Sequence, residues 1–315
     1  MDELVLAGDL GGTNLRIAAV DSVGRLLYRA EAETPRHLDA VKIVDAVVRL
    51  AAECRSAIGS DWDVRGFGLA VPAIFHSNEG KIVSSPNLPE LNGFDLSGEL
   101  TEKLGLKVTL ENDATAAAIG EHWLGASRGF DSSICVTLGT GVGGGIILNG
   151  EPVRGPDGTA GEVGHICVEP LGAACGCGSV GCLEQYSSAT AITRMANELM
   201  SQFPESELAR KETFDALTVY ELGVAGDQLC LEVFRRAGVY LGIALSGLIN
   251  VLNPEVIVLG GGAAEGWELF IGHVRAEIKK RAFQQPAERA RIVRAALGGD
   301  AGIIGAARLA FGKAA

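Results

Sequence analysis

The sequence of 315 residues contains no uninterrupted run of about 18 apolar residues, the length that a transmembrane helix requires. It contains no Asn-x-Ser/Thr glycosylation acceptor, and its first residues lack the basic start of a secretory signal peptide. Positive charge is also scarce, because 27 Lys and Arg oppose 39 Asp and Glu, a formal net charge of −12. We therefore expect a cytoplasmic protein that binds neither membranes nor nucleic acid.

Disulfide bonds are not expected either, because the seven cysteines are odd in number and three of them crowd together. These three and one histidine, His165, Cys175, Cys177 and Cys182, follow the pattern H-x₉-C-x-C-x₄-C. Three thiolates and an imidazole form a closed tetrahedral set, which is typical of a structural Zn²⁺ site. The alternative, three unrelated core cysteines, fits poorly with a glycine-rich segment that offers little core. Cys54, Cys135, Cys167 and Cys230 lie in apolar patterns and are expected to be buried thiols.

The order of apolar runs and turn residues predicts an α/β protein with mixed sheets. Strands are predicted at residues 4–10, 15–20, 26–30, 64–71, 107–110, 133–138, 145–148, 256–259 and 292–297, and a hairpin turn is predicted at Asn149-Gly150. Helices are predicted at about 37–57, near 100, at 114–123, over much of 189–250, at 267–283 and at 301–311. The length suggests two domains, which we place at residues 1–112 with 301–315 and at residues 113–300.

Two strand–turn–strand units carry related glycine turns, Gly11-Gly12-Thr13 after Asp9 and Gly139-Thr140-Gly141. Each is either an ordinary tight turn or a turn whose N–H groups bind phosphate oxygens, and the presence of two favours phosphate binding. A dinucleotide site fits poorly, because a strand rather than a helix follows the second turn. No P-loop motif occurs. Asp9 is a candidate for holding Mg²⁺, through water.

The triplet Glu111-Asn112-Asp113 lies between a predicted strand and a predicted helix. An aspartate at this place is commonly a helix N-cap. The functional alternative makes Asp113 a base that accepts a hydroxyl proton and lets Asn112 bind a neighbouring hydroxyl. The helix N-terminus is expected to favour the ionised form of Asp113.

Together these motifs resemble the ROK family of bacterial sugar kinases, repressors and open reading frames. The resemblance rests on Asp9-Leu-Gly-Gly-Thr13, Glu111-Asn-Asp113, Leu138-Gly-Thr-Gly-Val-Gly-Gly-Gly145, Glu162-Val-Gly-His165 and Cys175-Gly-Cys-Gly-Ser-Val-Gly-Cys-Leu-Glu184. The resemblance implies the actin-like, hexokinase-type (ribonuclease H-like) ATPase fold, with two lobes and a cleft between them. Family repressors carry a helix-turn-helix before the first glycine turn, and no such domain is expected here.

The resemblance also implies roles for individual residues. Asp113 is expected to be the catalytic base, and Gly260, Gly261 and Gly262 are expected to border the adenosine of ATP. Sugar hydroxyls are expected to be bound by Asn87, Asn112, Asp113, Glu162, His165 and Glu184. A homodimer is also expected.

The function expected on these grounds is ATP-dependent, Mg²⁺-dependent phosphorylation of a hexose, most simply glucose to glucose 6-phosphate. Two alternatives stay open: a kinase for N-acetylmannosamine or N-acetylglucosamine, and a non-catalytic sugar-sensing regulator. The loop of residues 65–94 is expected to decide whether an acetamido group fits, and its sequence does not settle the question.

Overall fold

The structure is a computed structural model that describes residues 2–36, 39–75 and 81–312. The chain forms two compact units. The first contains Met1–Cys135, Gly145–Gly161 and Ala295–Ala315, and the second contains Val136–Gly144 and Glu162–Arg294. The domain limits expected from the sequence stay a prediction.

The first unit is built on a five-stranded mixed sheet in the order β3-β2-β1-β4-β7. Its strands are β1 (Asp2–Leu10), β2 (Asn14–Asp21), β3 (Leu26–Glu33), β4 (Trp62–Val71) and β7 (Val108–Asn112). β1 pairs antiparallel with β2 and parallel with β4, and β4 pairs parallel with β7. Between β4 and β7 the chain adds a small hairpin of β5 (Ile74–Phe75) and β6 (Ile82–Ser84), which the sequence patterns do not reveal.

Helices cover both faces of this sheet, because side chains of β1 alternate between two apolar clusters. Leu4 and Leu6 belong to the cluster that includes α1, whereas Val5 and Ala7 belong to the cluster that includes α10. The helices of this unit are α1 (Ala40–Ile58), α2 (Leu96–Leu104), α3 (Asp113–Trp123) and α10 (Ala301–Ala310).

The helices α3 and α10 pack at very close range through small residues. A Cβ atom at Gly305 would overlap the carbonyl oxygen of Ala116, and one at Gly120 would overlap that of Ala301. Glycine at these two positions lets the backbones touch. The packing holds α3, whose first residue is Asp113, firmly against the sheet.

A second five-stranded sheet has the order β10-β9-β8-β11-β12. Its strands are β8 (Ser133–Leu138), β9 (Val142–Leu148), β10 (Glu151–Pro152), β11 (Val256–Gly260) and β12 (Arg291–Arg294). The predicted hairpin turn at Asn149-Gly150 is confirmed by its positive φ angles of 52° and 78°, as a type I′ turn requires.

The second unit is otherwise mainly helical, as the sequence predicts. Its helices are α4 (Glu184–Ser187), α5 (Ala189–Leu199), α6 (Ala216–Val224), α7 (Gln228–Leu252), α8 (Trp267–Arg281) and α9 (Gln284–Arg289). Within the described ranges, no helix combines the length and the hydropathy that crossing a membrane demands.

One of the four thiols expected to be buried is not. Cys54, Cys135 and Cys230 are buried, whereas Cys167 is exposed.

One predicted strand extends too far at its C-terminal end. The strand expected at residues 292–297 ends at Arg294, because the carboxylate of the fully buried Glu121 accepts the N–H groups of Ala296 and Leu297. These donors are therefore not available to a strand ladder. His37 and Leu38, where the first helix is expected to begin, lie outside the described residues.

The close packing of α3 on α10 predicts that Gly305→Ala lowers the free energy of unfolding by roughly 3 kcal/mol, because the added methyl group meets backbone rather than a flexible side chain. Gly272→Ala is the control: it lies at an exposed position inside α8, where an added Cβ meets no described atom within 4 Å. That substitution should stabilise by up to about 1 kcal/mol. Urea unfolding of both variants measures the difference, and equal stabilities would contradict the packing described.

Candidate active site

Two carboxylates of the first unit lie at the same edge of its sheet. Asp9 is next to the last residue of β1, and Asp113 directly follows β7. Because β1 and β7 both run parallel to β4, their carboxyl ends meet at one edge, which is where α/β proteins commonly bind ligands.

Burial changes the protonation of both groups. It raises the pKa of Asp9 to about 6; the negative charge of Asp113 adds to the rise, and the nearby Arg16 opposes it. Burial also raises the pKa of Asp113, against the N–H of Ala114, which favours the ionised form. The helix N-terminus thus favours the ionised form of Asp113, as expected, but burial favours the neutral form and is the larger effect.

The N-cap of α3 is Asn112 rather than Asp113. The Oδ1 atom of Asn112 accepts the N–H groups of Ala114 at 3.0 Å and Thr115 at 3.1 Å. Its Nδ2 atom donates to the carbonyl oxygen of Ala73 at 3.4 Å. Asp113 is therefore not the residue that caps the helix, although its Oδ1 also accepts the N–H of Ala114, at 2.8 Å.

The first glycine turn lies close to a predicted sugar ligand. The N–H of Gly11 donates to the carbonyl of Asn14, and the hydroxyl of Thr34 donates to the carbonyl of Gly11 at 2.7 Å. A Cβ atom at Gly12 would lie 3.4 Å from the Cβ of Asn87. Thr13 is exposed at the end of the turn. The structure thus brings Gly12 and Asn87 together within the first unit.

The second glycine turn is held by a carboxylate. Glu184, the first residue of α4, accepts the N–H of Val142 at 3.0 Å, and a Cβ at Gly141 would overlap its Oε2 atom. The backbone carbonyl of Thr140 accepts the hydroxyl of Thr190 at 2.8 Å. Gly139 accepts the N–H of Ala189, at the start of α5. The turn is therefore fixed by α4 and α5 of its own unit.

A cavity of about 480 Å³ opens beside this turn, within the size range of small-ligand pockets. Gly139 and Thr140 line it on one side and Gly262 on another. Its other lining residues are Ala189, Ile192, Ala216, Leu217, Tyr220, Phe234, Ala263, Glu265 and Gly266.

The three glycines at the end of β11 that are expected to border the adenosine differ in their positions relative to the cavity. Gly260 ends β11, and Gly261, with a φ of 86°, packs against the backbone of Leu138, whereas Gly262 lines the cavity. Leu217, Tyr220 and Glu265 belong to no sequence motif and are not among the residues predicted to bind ligands. Leu217 is an apolar residue at the start of α6, and in the structure it is 59% exposed. Such exposure of a large apolar side chain is the signal that could have identified it.

The metal-ligand pattern is assembled in the second unit. The ligand atoms of His165, Cys175, Cys177 and Cys182 all lie within 4.8 Å of one another. The Sγ atoms of Cys177 and Cys182 are 3.7 Å apart, and Sγ of Cys175 is 3.7 Å from Nδ1 of His165. Zinc–sulfur bonds of about 2.3 Å in a tetrahedron place sulfur atoms about 3.8 Å apart. The four residues therefore fit a Zn²⁺ ion.

Neighbouring groups orient these ligands. Nδ1 of His165 faces the thiols, while its Nε2 lies 3.9 Å from Oε2 of Glu162. Nε2 of Gln185 lies 3.8 Å from Sγ of Cys175, as a donor to a thiolate would. Such contacts around the ligands are usual at metal sites. They also leave the Nε2 side of His165 directed away from the cluster.

Comparison with known proteins agrees with this fold. The sequence model of the ROK family matches residues 5–313. The chain is 37% identical over 314 residues to a glucokinase of Halalkalibacterium halodurans, covering 96% of this chain and 94% of that protein.

Solved structures agree as well. A ROK family glucokinase from Streptomyces griseus, solved with glucose and AMPPNP, is 34% identical with a TM-score of 0.83, covering 98% of this chain and 100% of that chain. A ROK hexokinase from Thermus thermophilus is also 34% identical with a TM-score of 0.83, covering 98% of both chains.

The fold is therefore that of the actin-like α/β ATPases, as expected from the sequence. The chain belongs to the ROK family.

The raised pKa of the partly buried Asp9 carboxylate predicts that Asp9→Asn stabilises the ligand-free protein. With a pKa of about 6 folded and 3.8 unfolded, the folded state binds the extra proton, so stability falls as pH rises through this interval. Above this interval the carboxylate lowers the free energy of unfolding by about 3 kcal/mol, a loss that asparagine avoids. Urea unfolding should show the variant more stable at pH 8, with the difference shrinking toward pH 4.

Asp21→Asn is the control of opposite sign. Burial alone would raise the pKa of Asp21, but hydrogen bonds from the backbone and guanidinium of Arg25 and the N–H of Val23 bring it below its usual value. Asp21→Asn should therefore lower the free energy of unfolding at pH 8. Equal effects of both substitutions would contradict the charge burial assigned to Asp9.

Proposed function

We propose that the protein transfers the γ-phosphoryl group of ATP to a hexose, with glucose as the main substrate and glucose 6-phosphate as the product. The observation that carries this proposal is the pair of partly buried carboxylates, Asp9 and Asp113, whose pKa values are raised by desolvation at one edge of the first sheet. The full-length similarity to a glucokinase and to a glucokinase solved with glucose and AMPPNP supports ATP and glucose as substrates.

In this proposal the nucleotide is bound by the second unit. The adenine ring occupies the cavity beside Leu217 and Tyr220, where apolar and aromatic surface is available for stacking. Glu265, in the cavity wall, accepts hydrogen bonds from the ribose hydroxyls. Gly260, Gly261 and Gly262 border the adenosine, and the N–H groups of Gly139, Thr140 and Gly141 bind phosphate oxygens.

In the first unit Gly11, Gly12 and Thr13 also bind phosphate oxygens. Asp9 would hold Mg²⁺ through water, and the bound ion would supply positive charge to the transferred phosphoryl group. The pKa of about 6 of Asp9 in the ligand-free protein leaves this carboxylate ionised at neutral pH.

Asp113 is the proposed catalytic base, which accepts the proton of the sugar 6-hydroxyl as the oxygen attacks the γ-phosphorus. A raised pKa suits this role, because a more basic carboxylate accepts a proton more readily. Asn87, Asn112, Glu162, His165 and Glu184 are the proposed ligands of the sugar hydroxyls. Positioning rather than covalent chemistry provides most of the rate.

Asp113→Asn should lower kcat by about 10²–10⁴-fold, because it removes the base and keeps the size of the side chain. Sugar binding measured by calorimetry should stay close to that of the unchanged protein. Asp95→Asn is the matched control: Asp95 caps α2 in the same unit, and asparagine caps equally well. A coupled assay for ADP release measures turnover. Turnover of Asp113→Asn equal to that of the control would remove Asp113 from the mechanism.

The same assay with a panel of sugars separates the remaining alternatives. Turnover with glucose above that with N-acetylmannosamine and N-acetylglucosamine supports the proposal. Preference for an N-acetylated sugar would replace glucose by that substrate. Sugar binding without ADP release would instead favour the sensing regulator. Residues 76–80, part of the loop expected to select the acceptor, lie outside the described residues.

We also propose that His165, Cys175, Cys177 and Cys182 bind one structural Zn²⁺ ion. Their mutual distances and the donor beside Cys175 support the assignment. Bound zinc stiffens a loop that has little apolar anchoring and keeps Glu184, two residues after Cys182, against the second glycine turn.

Cys182→Ser should lose the metal, because one of four ligands is replaced by a poor one. Elemental analysis of the purified protein should find one zinc per chain, and the variant should hold far less and unfold at a lower temperature. Cys54→Ser is the control, since Cys54 is a buried thiol of the first unit outside the cluster. A chain free of zinc, or a variant with unchanged zinc, would contradict this assignment.

Cellular placement and assembly complete the proposal. The seven free cysteines and the net charge of −12 support a reducing, cytoplasmic location and no binding to nucleic acid. A homodimer is proposed from the family resemblance, and size-exclusion chromatography with light scattering tests it.

A further inference from the structure

Glu111 is a buried carboxylate that the proposed function does not use. It is 7% exposed, and its two oxygens have different partners. Oε1 accepts the N–H of Asn112 at 3.1 Å. Oε2 accepts both Nε and Nη2 of Arg154, at 2.8 Å and 2.6 Å. One side chain thus joins Arg154 to the backbone of a proposed sugar ligand.

Arg154 lies in a loop that is itself fixed within the first unit. Its carbonyl oxygen accepts the N–H of Ala160 at 3.0 Å, and the preceding Val153 donates its N–H to Ile146 of β9 at 2.8 Å. Further along, a Cβ at Gly158 would lie 2.9 Å from the carbonyl oxygen of Phe75, so only glycine lets the loop rest on β5. The guanidinium is therefore presented to Glu111 from a defined position.

We propose that Arg154 is a positioning residue for phosphoryl transfer, acting through Glu111 on Asn112 and Asp113. The proposal rests on the function proposed above. Arg154 holds Oε2 of Glu111, which leaves Oε1 aimed at the N–H of Asn112. The side chain of Asn112 in turn accepts hydrogen bonds from the first N–H groups of α3 and donates one to the carbonyl of Ala73.

The burial of Glu111 distinguishes this ion pair from an ordinary surface pair. Arg154 is partly exposed, with 43% of its side chain accessible, but the carboxylate it contacts is not. Removing the cation leaves a buried negative charge without compensation. The Glu111 side chain is then free to turn toward solvent, which weakens its hydrogen bond with the Asn112 N–H. The consequence falls on Asn112, a proposed ligand of the sugar hydroxyls, and on Asp113, the proposed base.

The test is a double-mutant cycle of Arg154→Gln, Glu111→Gln and the double variant, assayed for ADP release with glucose. Each single variant should lose about 10- to 100-fold in kcat/KM for glucose, because small displacements of reacting groups cost this much. KM for ATP should stay near that of the unchanged protein. The double variant should be no worse than the poorer single variant, because both changes break the same contact.

Arg25→Gln is the matched control. Arg25 also donates two hydrogen bonds to a buried carboxylate, that of Asp21, but this pair lies at the opposite end of β2 from the Asp9 edge. It should alter thermal stability without changing the kinetics for glucose. Arg154→Lys, which keeps the charge and loses the paired donors, should show an intermediate loss and serves if the glutamine variant does not fold.

Unchanged glucose kinetics in a folded Arg154→Gln or Arg154→Lys variant would overturn the proposal, whatever the melting temperature. The proposal would also be overturned if the losses in kcat/KM for glucose of the two single variants multiplied in the double variant. A rise of KM for ATP as large as the loss in kcat/KM for glucose would overturn it as well. Turnover by the unchanged protein tests the proposed function separately. If that protein phosphorylates no sugar, both proposals fail, whereas an active protein with indifferent variants removes Arg154 alone.

Discussion

Two carboxylates share the carboxyl edge of the first sheet, and keeping them there is the constraint on which the site depends. Burial favours the neutral forms of Asp9 and Asp113, and the negative charge of Asp113 also disfavours the ionisation of Asp9. Two groups favour the ionised forms: Arg16, which lies across the β-ladder from Asp9, and the N–H of Ala114 at the start of α3, which donates to Asp113. The result is a pair of partly buried carboxyl groups with raised pKa values, a feature that is common at catalytic sites.

The packing around α3 serves this arrangement. Gly120 and Gly305 let α3 and α10 touch through their backbones, and Glu121 fixes the chain before α10 by accepting its N–H groups. A helix held on one side by close packing and at its start by Asn112 has little freedom to move Asp113. Stability and site geometry therefore rest on the same small residues, in which extra volume is costly.

In the second unit a cluster of potential metal ligands, rather than close helix packing, stabilises the chain beside the glycine turn. The segment around Cys175–Cys182 is rich in glycine and offers few apolar side chains, so its four potential metal ligands take the place of a core. Directly after it, Glu184 reaches the turn that contains Gly141. A rigid cluster and a short helix thus hold a glycine turn whose own residues have almost no side chains to anchor it.

The sequence by itself determined much of this protein. The spacing of apolar residues predicted most strands and helices, the Asn-Gly pair predicted the turn at Asn149-Gly150, and the spacing of cysteines predicted the ligand set around His165. Each of these features depends on residues that are near neighbours in the chain. Its family motifs pointed to Asp9 and Asp113. Only the tertiary structure decided that Asn112 caps α3, that burial raises the pKa of Asp113, that Leu217 and Tyr220 line a cavity, and that Arg154 contacts Glu111. These features arise between residues distant in sequence or from burial, and no local pattern records how far a side chain is from water.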